Sequence, residues 1–155
     1  MLVVSDTSPV TALLQVGQDR LLATLFGQVL IPPAVRAELL RYHSALPDYL
    51  EVRAIQNPQA VDAFRRVLDL GEAEAIVLAE ECHAQYLLMD EKRGRSVAES
   101  RGLAVIGLLG VLLLAKKAGH LDSVGSLIDD LQAKAGFFVS DKLRQTALKA
   151  AREEP

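Results

Sequence analysis

Leu2-Val3-Val4-Ser5-Asp6-Thr7-Ser8-Pro9 decides the reading of this chain. The apolar run, rich in β-branched residues, makes residues 2–5 a buried strand. The strand ends at a carboxylate, Asp6. Ser8 then offers a cap for the next helix, with Pro9 in its first turn, a favourable pairing. A strand that delivers an acid to its C-terminal edge places it where open α/β sheets bind ligands. The pattern recurs at Tyr86-Leu87-Leu88-Met89, which runs straight into Asp90. Two strand-end carboxylates on one sheet point to a metal site, and with it to hydrolytic chemistry.

Working outward, strand and helix signals alternate, the pattern of an α/β fold with a parallel sheet. A helix over residues 21–26 ends at Gly27, and Val29-Leu30-Ile31 forms a second strand closed by Pro32-Pro33. A helix follows over residues 33–41. The stretch 42–58 carries the weakest signals, and 50–55 reads as an edge strand. Further helices are expected over 59–68, 72–84, 91–101, 108–118, 123–135 and 140–152, and strands over 86–89 and 103–106.

The 155 residues suit one domain spanning 1–155. A chain of this length buries ~70% of its unfolded surface, so its core needs no covalent staple. The single cysteine, Cys82, excludes a disulfide framework and a cysteine-based zinc site, and it suits a reducing cytoplasm. The first apolar run is too short for a secretory signal. The uncharged stretch 102–115 falls short of the ~18 residues that a membrane span requires. A net charge of −3 lacks the overall basic signature of a high-affinity nucleic-acid binder. A phosphate-bearing substrate would therefore need bound cations or a local basic patch.

Four acids stand out. Asp6 and Asp90 follow buried strands. Glu38 lies in the helix after Pro33, where the helical period puts it at the border of the inward face. Glu72 and Glu74 open the helix after Gly71, where either acid complements the helix dipole. Glu74 shares a side with Glu81 and Gln85, which reads as the solvated face. Glu72 falls opposite, with Ile76 and Ala79. A charge on the apolar side needs a partner or a metal, so Glu72 is preferred over Glu74. Carboxylates packed into one pocket repel, and hard cations such as Mg²⁺ or Mn²⁺ relieve this with oxygen ligands. Such an ion can activate water against a phosphodiester.

These residues form a recognisable set. The chain resembles the PIN-domain superfamily of metal-dependent ribonucleases, and more closely the PIN-like family DUF3368. The matching segments are Val4-Ser5-Asp6-Thr7-Ser8-Pro9, Leu30-Ile31-Pro32-Pro33-Ala34-Val35 with Glu38, Leu70-Gly71-Glu72-Ala73-Glu74-Ala75-Ile76, Leu87-Leu88-Met89-Asp90-Glu91-Lys92-Arg93-Gly94-Arg95, and the run from Val105 to Leu113. They fall in order over nearly the whole chain. The resemblance implies a three-layer α/β/α fold with a central parallel sheet. It also implies an acidic pocket holding Mg²⁺ or Mn²⁺ through Asp6, Glu38, Asp90 and a fourth acid at Glu72 or Glu74. Ser8 matches a small hydroxyl residue beside the first acid, in a position to orient water. Many such proteins are toxins of toxin–antitoxin pairs and form homodimers, so an RNA substrate, a small antitoxin and a second copy are the implied partners.

A basic rim for the RNA backbone is available from Arg36 and Arg41, which flank Glu38, and from Lys92, Arg93 and Arg95 after Asp90. Taken singly, each is an ordinary solvated helix residue. His43, His83 and His120 are scattered without ligand spacing, and the aromatics are too few and dispersed for a base-stacking platform. Two rivals stand beside the ribonuclease. One is a non-catalytic PIN-like binding module. The other is an aspartate-based phosphohydrolase, which usually carries a second aspartate two residues after the first; here that position is Ser8.

Overall fold

The computed structural model describes residues 1–154. Its sheet has five short strands: β1 (Val3–Ser5), β2 (Val29–Ile31), β3 (Leu50–Val52), β4 (Tyr86–Leu88) and β5 (Val105–Ile106). All neighbours are parallel, in the order β3-β2-β1-β4-β5. Parallel neighbours require crossovers, and helices supply them. The helices are α1 (Thr7–Gln15), α2 (Arg20–Phe26), α3 (Pro33–Tyr42), α4 (Pro58–Phe64), α5 (Leu70–Glu81), α6 (Lys92–Ser100), α7 (Leu108–Lys117), α8 (Val124–Ala135) and α9 (Asp141–Ala150).

The strand pleat sorts the core into two layers. Val3, Ile31 and Leu88 face one side and pack with Leu13 of α1, Leu22 of α2, Leu112 of α7 and Ile128 of α8. Val4, Leu30 and Leu87 face the other and pack with Val61 of α4, Ile76 of α5 and Ala98 of α6. The result is the expected α/β/α sandwich. A sheet covered on both faces explains why β2 and β4 are apolar runs rather than alternating ones. Leu13, Leu22, Leu87, Leu88 and Leu112 are all fully buried, and truncating one to Ala costs ~2–5 kcal/mol.

Strand order places the site. From β1 the chain steps to β2 and β3 on one side, then returns to β4 and β5 on the other. The crevice at this reversal lies beyond the C-terminal ends of β1 and β4, the usual ligand position in open α/β sheets. Asp6 directly follows β1, and its N–H donates to Leu88 O at 2.9 Å. Asp90 lies just beyond β4.

Several boundaries differ from the sequence reading. Helix α1 starts at Thr7, so Asp6 rather than Ser8 occupies the N-cap position, and no side chain caps the turn. Helix α5 starts at Leu70 because Asp69 and Glu72 form a reciprocal capping box. It stops at Glu81, and His83 just beyond has a φ of 52°, a left-handed turn that prevents continuation. Helix α4 is shorter than expected and gives way to turns before Leu68. Among the described residues no helix is long and apolar enough to cross a membrane.

Candidate metal centre

A cavity of about 1110 Å³ opens at the reversal point. Asp6, Glu38 and Glu72 all line it, and so does Asp69. Each comes from a different place: Asp6 from the end of β1, Glu38 from α3, Asp69 from the cap of α5 and Glu72 from its first turn. Thr7, Ser8, Glu91, Lys92 and Arg93 complete much of the wall.

Asp6 is only 6% exposed. Burial pushes its carboxyl up to about 7, and the nearby charges of Glu72, Asp69 and Glu38 add to the rise, while the Thr7 backbone N–H opposes it. Of the acids expected together, Glu38 and Glu72 act on Asp6 in this way, and Asp90 is not among them.

Glu72 is 7% exposed and does two jobs. Its Oε1 accepts the Asp69 N–H at 3.2 Å, while its own N–H donates to Asp69 Oδ1 at 2.8 Å. This reciprocal box starts α5 and fixes the rotamer. Burial raises the Glu72 carboxyl, the Asp69 N–H opposes the rise, and the charges of Asp69 and Glu91 reinforce it. Its Oε2 lies against the bare α-carbon of Gly94, where a Cβ would come within 2.9 Å. Gly71 does the same for Glu38: a Cβ there would collide with the Glu38 carboxylate. Two glycines thus admit two carboxylates right against the backbone. Glu38 is held further by Thr7, whose Oγ1 donates to Oε2 at 2.6 Å.

Glu74 is placed elsewhere. Its Oε1 accepts the Ala34 N–H at 2.9 Å and so caps α3 from outside that helix. Glu81, on the same side, accepts the Gln56 and Asn57 N–H groups at 3.0 and 2.9 Å. The side of α5 that reads as solvated is therefore spent on two neighbouring chain segments.

Asp90 stands apart from the other three. Its Oδ1 accepts the Leu108 N–H at 2.7 Å at the start of α7. It borders a second cavity, shared with Arg95 and the exposed Phe138. Burial raises its carboxyl, against the Leu108 N–H and the charge of Arg95. Its Oδ2 is buried with no hydrogen-bond partner. A buried carboxylate oxygen without a donor is costly, and a cation would satisfy it.

The basic residues divide too. Lys92 and Arg93 line the acidic cavity, whereas Arg95 lines the second one and donates to Met89 O at 3.4 Å. Arg36 is exposed and lines neither. Ser8 is exposed on the wall of the acidic cavity.

Sequence reasoning missed Asp69 and Thr7. Asp69 was legible, since Asp69-Leu70-Gly71-Glu72 has the spacing of a capping box. Thr7 gave no signal, because its partner lies 31 residues away.

The donor set is all oxygen and all anionic, which fits a hard divalent cation rather than a soft one. Desolvated, mutually repelling carboxyls and an unpartnered Asp90 oxygen fit the same group. Among the described residues, no three His, Cys, Asp or Glu side chains already stand at ligand spacing. The acids line a shared space without closing on one point.

The chain was compared with known proteins. A family model described as DUF3368, a PIN domain, matches residues 2–153. No curated protein matches, and no solved structure matches.

Proposed function

The chain belongs to the PIN-domain family DUF3368, and on that premise we propose that it is a metal-dependent endoribonuclease. PIN domains are commonly nucleases and generally use divalent metals. The observation that supports the reading best is the convergence of Asp6, Glu38 and Glu72 on one cavity at the sheet's reversal point.

In this reading Asp6, Glu38 and Glu72 would hold Mg²⁺ or Mn²⁺, and Asp90, from the neighbouring cavity, would add its unpartnered Oδ2. A bound ion of this kind lowers the pKa of water and neutralises charge on a phosphodiester. The protein's own groups do the rest. The capping box holds Glu72 Oε1 and leaves Oε2 for the site. Thr7 orients Glu38. Ser8, exposed on the cavity wall, would orient a water there. Lys92 and Arg93 provide the local positive charge that an acidic protein needs to attract an RNA backbone.

One observation favours the alternative of a non-catalytic binding module. Asp90 is engaged at the start of α7 and borders the neighbouring cavity, so the main cavity lacks one of the four acids that the sequence reading expects there. A toxin role with a small antitoxin, and a homodimer, belong to the proposal through the family resemblance alone.

The test is cleavage of a panel of structured and single-stranded RNAs in Mn²⁺ or Mg²⁺, with EDTA and Asp6→Asn as controls. Cleavage lost in both controls supports the nuclease. Intact folding and metal binding without cleavage of any RNA favours the binding module.

A further inference from the structure

Tyr42, the last residue of α3, is 71% exposed. Among the described residues it stacks on no ring or cation and takes part in no side-chain hydrogen bond. Its position is specific, however. Tyr42 and Thr11 line the acidic cavity and also line a smaller neighbouring cavity of about 510 Å³. The remaining wall of the smaller cavity is Leu14, Gln15 and His43.

We infer that Tyr42 and this smaller cavity form a nucleobase subsite next to the acids. The inference rests on the nuclease reading and deepens it. A nucleotide lying over the acids leaves its neighbour at the tyrosine ring. Unstacked bases of single-stranded RNA are held in this way, on aromatic faces with polar groups at their edges. The volume lies within the ~300–1,000 Å³ range of small-ligand pockets. The chemistry of the wall matches as well. Leu14 supplies an apolar surface. Gln15, exposed on α1, offers both a donor and an acceptor. The His43 ring is oriented by Thr11, with Thr11 Oγ1 and His43 Nε2 3.2 Å apart, which leaves Nδ1 for a base edge. Lys92 and Arg93, on α6, take the backbone on the other part of the path. A single ring accommodates a single base, so the subsite does not require the array of aromatics that this sequence lacks. Duplex RNA keeps its bases stacked inside and cannot use it.

The experiment measures binding of short single-stranded RNAs, labelled with a fluorescent base whose emission is quenched by stacking, to the wild-type protein, Tyr42→Phe, Tyr42→Ala and Gln15→Ala in EDTA, where cleavage is absent. Wild type and Tyr42→Phe should bind and quench. Tyr42→Ala should lose the quenching and weaken binding about tenfold, with an unchanged melting temperature because the ring is exposed. Gln15→Ala should alter the preference among the four bases. Equal binding and quenching by Tyr42→Ala and wild type overturns the subsite, as does failure of wild type to bind any single strand. Tighter binding of a duplex than of its single strands also overturns it. None of these results depends on turnover, so the cleavage assay judges the nuclease reading separately.

Discussion

Thr7 Oγ1 donates a 2.6 Å hydrogen bond to Glu38 Oε2, tying the first residue of α1 to the middle of α3. The bond spans the mouth of β1 and sits one residue from Asp6. It orients a carboxylate that lies against Gly71. Hydrogen bonds to charged acceptors are short and strong, and groups that orient ligands tune metal affinity. Thr7→Val should therefore weaken Mn²⁺ binding by about tenfold, while Thr7→Ser keeps it. Calorimetric titration of both variants checks this, and an unchanged affinity in Thr7→Val would count against Glu38 as a ligand.

The raised Asp6 carboxyl makes the metal-free protein sensitive to pH. Its ordinary value is 3.8 and its folded value is about 7. Between these, the folded state holds a proton that the unfolded state has lost. Stability therefore falls as pH rises through this window and levels off above about 7. The loss amounts to a few kcal/mol, at about 1.4 kcal/mol for each pH unit crossed. Asp6→Asn should make the slope shallower, leaving the part owed to the raised Glu72 and Asp90 carboxyls. Denaturant melts in EDTA across the window read it directly, and a slope undiminished in Asp6→Asn would assign the effect elsewhere.

Metal should reverse that trend. Binding requires deprotonated carboxylates, so the Mn²⁺-induced rise in melting temperature should grow with pH. Asp6→Asn and Glu72→Gln should each reduce the rise strongly. Glu74→Ala should leave it nearly intact and instead lower stability by about 1–2 kcal/mol through the lost α3 cap. Thermal melts with and without Mn²⁺ separate the two kinds of loss. A metal response abolished by Glu74→Ala would exchange the roles of the two acids.

Gly94→Ala tests the close approach. The new Cβ would fall 2.6 Å from Met89 Sδ and 2.9 Å from Glu72 Oε2. Flexible side-chain ends usually give way, but Met89 is fully buried and Glu72 is held by its capping box. The substitution should cost about 1–3 kcal/mol and weaken metal binding together. Stability and Mn²⁺ affinity both at wild-type values would show that the carboxylate moves aside freely.

Glu153 anchors the segment after α9. Its carboxylate accepts the N–H groups of Val124 and Gly125 at 2.7 and 3.0 Å, and Lys116 Nζ lies 3.2 Å away. Burial alone would raise this carboxyl, but the two N–H groups and Lys116 outweigh it and hold it below its ordinary 4.5. The stabilisation is therefore complete above that value and fades as pH falls below it. Glu153→Gln should lower stability by about 1–2 kcal/mol at neutral pH, and the difference from wild type should shrink in acid. Melting curves at both conditions decide it.

The parts of this molecule that were legible in the sequence are those governed by local rules. Apolar runs ending in acids marked β1 and β4, and Gly27 and Pro32-Pro33 bracketed β2. The position of Glu72 on the apolar side of α5 was readable from the helical period, and it is buried. What escaped were bonds across the fold. The tie of Thr7 to Glu38, the capping of α3 by Glu74 and the engagement of Asp90 with Leu108 join residues 18 to 40 positions apart. Nothing in the spacing of such pairs announces them. The early start of α5 is different: its signal at Asp69 is local and simply competed with Gly71 for the role of boundary.

Helix α5 is locked in register by three carboxylates at once. Glu72 serves its own first turn, Glu74 the start of α3, and Glu81 the chain leading into α4. Inserting or deleting one residue between them would turn the remainder of the helix by about 100° and detach whichever segments lie past the change. Length variation should thus be tolerated in the loop between α3 and β3 and refused inside α5. A library of single-residue insertions, sorted for soluble expression, would map this helix as the ruler against which the neighbouring segments are set.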